Sequence, residues 1–241
     1  MSANSSVIAG TAASLGNDWR SAASLIDHTL LKPDASRQQV VTLCDEAVRY
    51  GFYSVMVNPT HVALAAAQVR GTAVKVGTVV GFPLGANLTV TKLAESEAVL
   101  RSGAHELDAV LNIAALKARD RALIETEMRL LARLAHGRCA ILKIILENAY
   151  LNQEEKILAC ALAMEAGADF VKTSTGLGPS GATVADVALM RGVVGMKLGV
   201  KAAGGIRTAA QLIDMVEAGA NRIGASASAQ IVQELGAPGE R

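Results

Sequence analysis

Gly167-Ala168-Asp169-Phe170-Val171-Lys172-Thr173-Ser174-Thr175-Gly176 reads as a helix stop, a short strand and a loop in direct succession. Gly167 closes the preceding helical pattern, because glycine adopts the left-handed conformation of a helix terminus without steric cost. Phe170 and Val171 form an apolar run too short for a helix, and the small residues from Thr173 to Gly176 suit a loop. The same grammar returns in Gly103-Ala104-His105-Glu106 and Gly219-Ala220-Asn221-Arg222, and Gly51 marks another helix end. Gly51 to Gly103 and Gly167 to Gly219 each span 52 positions. Two strand–helix units per interval give about 26 residues per unit, and eight units need about 208, which residues 24–241 supply.

Apolar, β-branched runs recur along the chain, at Leu25–Leu31, Ser54–Asn58, Val74–Val80, Glu106–Asn112, Ala140–Leu146, Asp169–Lys172, Gly199–Ala203 and Asn221–Gly224. Their near-continuous apolar character is that of parallel strands covered on both faces. Helical patterns lie between them. Ser36 with Gln39, and Asn152 with Glu155, form capping boxes, and Val40, Leu43, Cys44 and Ala47 make an apolar stripe. The expected fold is α/β, a single (β/α)8 TIM barrel over residues 24–241 with residues 1–23 as a short N-terminal extension. A doubly wound open sheet is the alternative, but it needs fewer strands or longer helices.

Bulk properties narrow the partners. A hydrophobic content of 51% and mean hydropathy of +0.33 indicate a large core. A formal net charge of +1 and 3% aromatic residues provide neither a basic footprint nor stacking platforms, so nucleic acid is not an expected partner. Cys44, Cys139 and Cys160 have no metal-like or redox spacing, which implies reduced thiols, a cytoplasmic location and, for all three, places in the core. The first 20 residues lack the basic and apolar regions of a targeting sequence. No charge-free apolar stretch reaches the ~18 residues of a membrane span, so no membrane association is expected. His28, His61, His105 and His136 lie far apart with no ligand pairing, so neither a metal nor a cofactor is expected.

Active sites of such barrels lie where the carboxyl ends of the strands meet. Lys172 ends one strand and Lys201 ends another, in Leu198-Gly199-Val200-Lys201-Ala202-Ala203-Gly204-Gly205. A strand-end lysine on its own commonly snorkels to water. Two buried ammonium groups converging on one site are costly unless one gives up its proton, and a neutral lysine forms an imine with a carbonyl. Asp108, inside an otherwise apolar run, needs a cationic partner, and Lys143 in the fifth strand is another lysine within reach. Asp27, Thr29 and Asn58 also fall at strand ends. Gly204-Gly205-Ile206-Arg207 after the seventh strand and Gly224-Ala225-Ser226-Ala227-Ser228 after the eighth resemble a phosphate cradle, since glycine lets backbone N–H groups approach an anion.

These residues together resemble the deoxyribose-phosphate aldolase family of class I aldolases. The resemblance runs from about Leu25 to Ile231. It rests on Ile26-Asp27-His28-Thr29-Leu30-Leu31-Lys32-Pro33, Val57-Asn58-Pro59, Val80-Gly81-Phe82-Pro83-Leu84-Gly85 and Leu107-Asp108, then on the Lys172 and Lys201 segments. It implies reversible cleavage of 2-deoxy-D-ribose 5-phosphate to D-glyceraldehyde 3-phosphate and acetaldehyde, with no metal. Lys172 would form the imine, Lys201 would lower its pKa, and Asp108 with a water would move protons. Asp27 and Thr29 would contact the sugar hydroxyls. Thr175, Gly176, Gly204, Gly205, Arg207, Gly224 and Ser226 would hold the rest of the substrate and its phosphate. A homodimer is allowed. Rival readings are a Schiff-base aldolase or transaldolase with a ketone donor, and a barrel that binds sugar phosphates without turning them over.

The chain departs from the family pattern in three places. Met56 stands where many relatives carry cysteine, which implies better tolerance of unsaturated aldehydes. The terminal Leu235-Gly236-Ala237-Pro238-Gly239-Glu240-Arg241 lacks the tyrosine that assists proton transfer in some relatives. Leu177 and Ala227 replace a lysine and a serine that some relatives offer to phosphate, which implies weaker phosphate binding.

Overall fold

The computed structural model describes residues 18–239. Eight strands, β1 (Ile26–Leu30), β2 (Ser54–Val57), β3 (Lys75–Val80), β4 (Glu106–Val110), β5 (Ile141–Ile145), β6 (Phe170–Lys172), β7 (Gly199–Ala203) and β8 (Arg222–Ala225), pair in sequence order and close into a barrel. All the pairings are parallel, and the last joins Asp27 of β1 to Gly224 of β8. Closure removes the open-sheet alternative.

The helices are α1 (Trp19–Ala23), α2 (Arg37–Tyr50), α3 (Val62–Gln68), α4 (Thr89–Arg101), α5 (Ile113–Lys117), α6 (Arg121–His136), α7 (Gln153–Ala166), α8 (Val184–Val194), α9 (Ala209–Glu217) and α10 (Ser228–Glu234). Both expected capping boxes are present with their reciprocal bonds, and Thr208 with Gln211 forms a third at α9. Each such cap contributes about 1 kcal/mol. Gly51 and Gly167 are left-handed C-caps, with φ of 68° and 83°. Of the expected extension, residues 1–17 lie outside the described residues. Trp19–Ala23 form a short helix whose Ala22 and Ala23 are fully buried, with Trp19 edge-on to Tyr50. At the other terminus, the carbonyls of Pro238 and Gly239 accept from Tyr50 and Arg49 at the end of α2.

Strand alternation separates two environments. One set of side chains, including Ile26, Val55, Leu107, Ile144, Val171, Val200 and Ile223, packs outward into the apolar layer under the helices. The alternate set points inward and is rich in charge, with Asp27, Glu106, Asp108, Lys143, Lys172, Lys201 and Arg222 all buried. Barrel interiors of this type are usually filled by branched aliphatic residues, so this interior is committed to chemistry.

One expectation is corrected. Cys44 and Cys160 are buried, but Cys139 is exposed. It precedes β5 rather than opening it, and its φ of 56° places it in a left-handed turn that carries the side chain off the barrel.

Candidate active site

The inward side chains meet on Asp108. Its Oδ1 accepts from Lys143 Nζ at 2.8 Å, and its Oδ2 accepts from both Lys172 Nζ and Lys201 Nζ at 2.8 Å. Register explains the convergence, since Asp108 lies beside Lys143 across β4 and β5, and Lys172 lies beside Lys201 across β6 and β7. Lys201 also donates to Asp27, whose Oδ1 accepts from Arg222 at 2.9 Å and from Ser54 Oγ at 2.8 Å. Glu106 accepts from Lys143 and, across the barrel, from Arg222 at 3.1 Å. The Arg222 guanidinium lies 3.3 Å from the centroid of the Tyr53 ring. Inward-facing glycines make room for these long side chains. A Cβ on Gly224 would come within 3.0 Å of Lys201 Cε, and one on Gly199 within 2.1 Å of the Phe170 ring.

This clustering sets the charge states. Burial alone would raise the Asp108 carboxyl, but Lys143, Lys172 and Lys201 outweigh it and hold the group well below the usual carboxylate range. Asp27 is held low in the same way by Lys201, Arg222 and Lys143. Burial would lower Lys143, yet Asp108, Glu106 and Asp27 reverse this and raise it above an ordinary lysine. Lys172 goes the other way. Burial, helped by the positive charges of Lys201 and Lys143, brings it from 10.5 down to about 8 against the pull of Asp108.

Around this centre the structure places the remaining candidates in two groups. Asp27 and Gly224 surround Lys201 inside the barrel, and Thr29 Oγ1 donates to the Asp27 carbonyl at 2.7 Å. Thr175, Gly176, Gly204, Gly205, Arg207 and Ser226 lie on the loops beyond β6, β7 and β8. There the two loops after β6 and β7 touch backbone to backbone. Ala182 N donates to Gly204 O at 3.0 Å, and a Cβ on Gly181 would stand 2.1 Å from that same oxygen. Gly204 and Gly205 have φ of 90° and 82°, which turns successive amides in a way few other residues permit. Arg207 and Ser226 are exposed. A cavity of about 360 Å³ opens at the strands' carboxyl ends, bounded by Pro83, Asn112, Glu147, Tyr150, Thr175 and Leu177 among others. His28 pairs with Glu46 of α2, on the outer side of β1.

Sequence reasoning passed over three participants. Glu106 and Arg222 were legible as charges inside apolar strands, and Glu106 shares the inward face of Asp108 two positions on. Glu147 carried no signal. Its φ of 54° is unusual for a glutamate, and its buried carboxylate accepts from both the N–H and the hydroxyl of Thr175, anchoring the loop after β6.

Residues 21–236 match the model of the DeoC/LacD family aldolases. The deoxyribose-phosphate aldolase of Thermococcus kodakarensis is 54% identical over 223 residues, covering 92% of this chain and 99% of that protein. Among solved structures, a putative deoxyribose-phosphate aldolase from Coccidioides immitis superposes with a TM-score of 0.87 at 42% identity, covering 90% of this chain and 86% of that one. The tetrameric deoxyribose phosphate aldolase from Aeropyrum pernix superposes with a TM-score of 0.84 at 33% identity, covering 90% and 91%.

Proposed function

The chain belongs to the DeoC/LacD family of aldolases and is a carbon–carbon lyase, and we propose that it cleaves 2-deoxy-D-ribose 5-phosphate through an imine on Lys172. The observation that carries this reading is the pair of lysines on one oxygen of Asp108. With its pKa at about 8, roughly one Lys172 in ten is neutral at pH 7, against about one in a few thousand for an ordinary lysine.

Neutral Lys172 Nζ attacks the C1 carbonyl, and loss of water gives the protonated imine. The C2–C3 bond then breaks, its electron pair moving into the imine to leave an enamine on Lys172. The proton of the C3 hydroxyl leaves through a water held by Asp108, and C3 becomes the aldehyde of glyceraldehyde 3-phosphate. Protonation of the enamine at C2 and hydrolysis release acetaldehyde and restore the amine. Lys201, held by Asp27 and Asp108, keeps a positive charge beside Lys172 and takes part in the proton relay.

The amides of Gly176, Gly204 and Gly205, with Arg207 and Ser226, receive the phosphate, while Thr29 and Thr175 border the sugar. Asp27 and Gly224 support the substrate indirectly, by fixing Lys201. Residues 24–241 act as the catalytic unit and 1–23 as its extension.

Among the described residues no helix is long and apolar enough to cross a membrane. A cytoplasmic enzyme that self-associates as a homodimer completes the reading, and light scattering tests the assembly.

The decisive experiment is borohydride trapping with acetaldehyde, followed by peptide mass spectrometry. An ethyl adduct on Lys172, absent from Lys172→Ala, is the expected result. Trapping only with a ketone donor would move the chain to another aldolase activity, and no adduct would leave a barrel that only binds sugar phosphates.

A further inference from the structure

The barrel interior holds three carboxylates, Asp27, Glu106 and Asp108, and four basic groups, Lys143, Lys172, Lys201 and Arg222. Charge inside a low-dielectric core is tolerated when it balances, and this set balances only when one base is neutral. Geometry selects which one. Lys143 bonds to Glu106 and Asp108, Lys201 to Asp27 and Asp108, and Arg222 to Asp27 and Glu106. Lys172 has a single carboxylate partner, Asp108 Oδ2, and shares it with Lys201. Lys172 is thus the base with least to lose on neutralisation.

We propose that Glu106, Lys143 and Arg222, none of them bonded to Lys172, form a charged floor beneath the reacting groups and act as positioning residues that assign the neutral state to Lys172. This rests on the imine reading above and extends it to a layer deeper in the barrel. A floor built only for stability would be better filled with apolar side chains of similar volume, which are often neutral or stabilising replacements for buried ion pairs. Glu147, a further buried carboxylate on the loop after β5, is bonded to Thr175 and to none of the four bases, and the remaining inward groups near the floor carry no compensating charge. Ser54 and Tyr53 belong to β2 and its approach, Thr29 to β1, and Gly77 and Val79 to β3. The state of Lys172 therefore answers to the six other charged groups of this set and to their sum.

The sign of each perturbation follows. Glu106→Gln removes a negative charge, leaves the interior too positive, and makes Lys172 release its proton more readily. Lys143→Met removes a positive charge, so the interior balances with Lys172 protonated.

The test measures the initial rate of borohydride-dependent ethyl adduct formation on Lys172 with acetaldehyde, as a function of pH. Relative to the unmodified protein, the midpoint should fall by about one to two pH units in Glu106→Gln and rise by about as much in Lys143→Met, as expected of a unit charge roughly 6–12 Å away at an effective dielectric constant of ~20. The double variant should return close to the starting midpoint. Circular dichroism and thermal melts establish that each variant is folded. Should Lys143→Met fail to fold, Arg222→Gln removes the same charge without touching Asp108 and must also move the midpoint upward.

Shifts in the same direction, or no shift, in variants that still form the Lys172 adduct would overturn the proposal and leave the floor as scaffold. Absence of the adduct in the unmodified protein would instead refute the imine reading itself.

Discussion

Lys172 and Lys201 donate to the same oxygen, Asp108 Oδ2, from 2.8 Å each. Two amines gathered around one atom repel when both are charged, while the shared anion keeps both close. The arrangement holds one nitrogen ready to react and the other ready to carry a proton.

Asp108→Asn separates these duties. The amide keeps the shape but loses the charge that holds Lys172 protonated, so Lys172 should still trap acetaldehyde at pH 7. Turnover should fall by about 10²-fold or more, because the proton relay has lost its acceptor. Breaking a buried ion cluster should also cost about 3–5 kcal/mol of stability. Steady-state cleavage rates, trapping and thermal melts check the three statements, and turnover within a few-fold of the parent would remove Asp108 from the relay.

Activity and stability should depend on pH in linked ways. Cleavage should rise as pH passes through about 8, where Lys172 loses its proton. Stability follows the same group, because an unfolded lysine keeps its proton to about 10.5. Between about 8 and 9 the unfolded chain binds more protons, so stability rises with pH there, and above about 9 the buried Cys44 and Cys160, which keep protons that the unfolded chain loses, turn the slope downward. Below pH 8 the protonated, buried Lys172 costs roughly 3 kcal/mol. On the acid side Asp27 and Asp108 are both held low, so their stabilisation persists above the ordinary carboxylate range and is lost only as pH falls below ~4. Urea melts across pH 3–10 would reveal both limbs, and a stability flat from pH 8 to 9 would contradict the placement of Lys172.

Gly181→Ala should weaken phosphate binding selectively. Its Cβ would stand 2.1 Å from Gly204 O, a backbone atom that cannot rotate away, so the two loops must part. KM for the phosphorylated substrate should rise about tenfold or more, by analogy with losing a charged hydrogen bond, while cleavage of unphosphorylated deoxyribose changes little. An equal loss on both substrates would mean that these loops do not hold the phosphate.

Met56→Cys should sensitise the enzyme to crotonaldehyde. Met56 is fully buried on β2, its thioether reaching the space left by Gly77. A thiol at this position can add to the β-carbon of an unsaturated aldehyde, whereas a thioether forms no such stable adduct. Inactivation followed over time should be several-fold faster in the variant, and equal rates would refute the idea. The shorter side chain should cost roughly 1–3 kcal/mol through the cavity it leaves.

The fold was legible because glycine-terminated helices and short apolar strands repeat on a fixed interval, and Gly51 and Gly167 are the left-handed caps that this interval implies. Lys172, Lys201 and Asp108 were legible because a charge at the end of an apolar strand needs a reason. Glu106 and Arg222 carried the same signal deeper in their strands, where attention to strand ends misses it. Phase would have found them, since Glu106 and Asp108 are two apart and face one way. Asp27 entered as a substrate contact through the family resemblance, and the sequence could not reveal that Lys201, Arg222 and Ser54 donate to its oxygens. Glu147 was beyond reach, since neither its left-handed backbone nor its grip on Thr175 follows from neighbouring residues. Cys139 was misplaced because the two residues before β5 both look apolar, while the backbone turns Cys139 outward and leaves only Ala140 in the core.

That exposed cysteine sits at the amino end of β5, across the barrel from the mouth. The other two thiols are buried, and burial pushes Cys44 up to about 11 and Cys160 up to about 12, so neither is a ready nucleophile at neutral pH. A maleimide-bearing resin would therefore tether the molecule at a single point, with the catalytic opening turned toward the liquid and its approach unobstructed by the support.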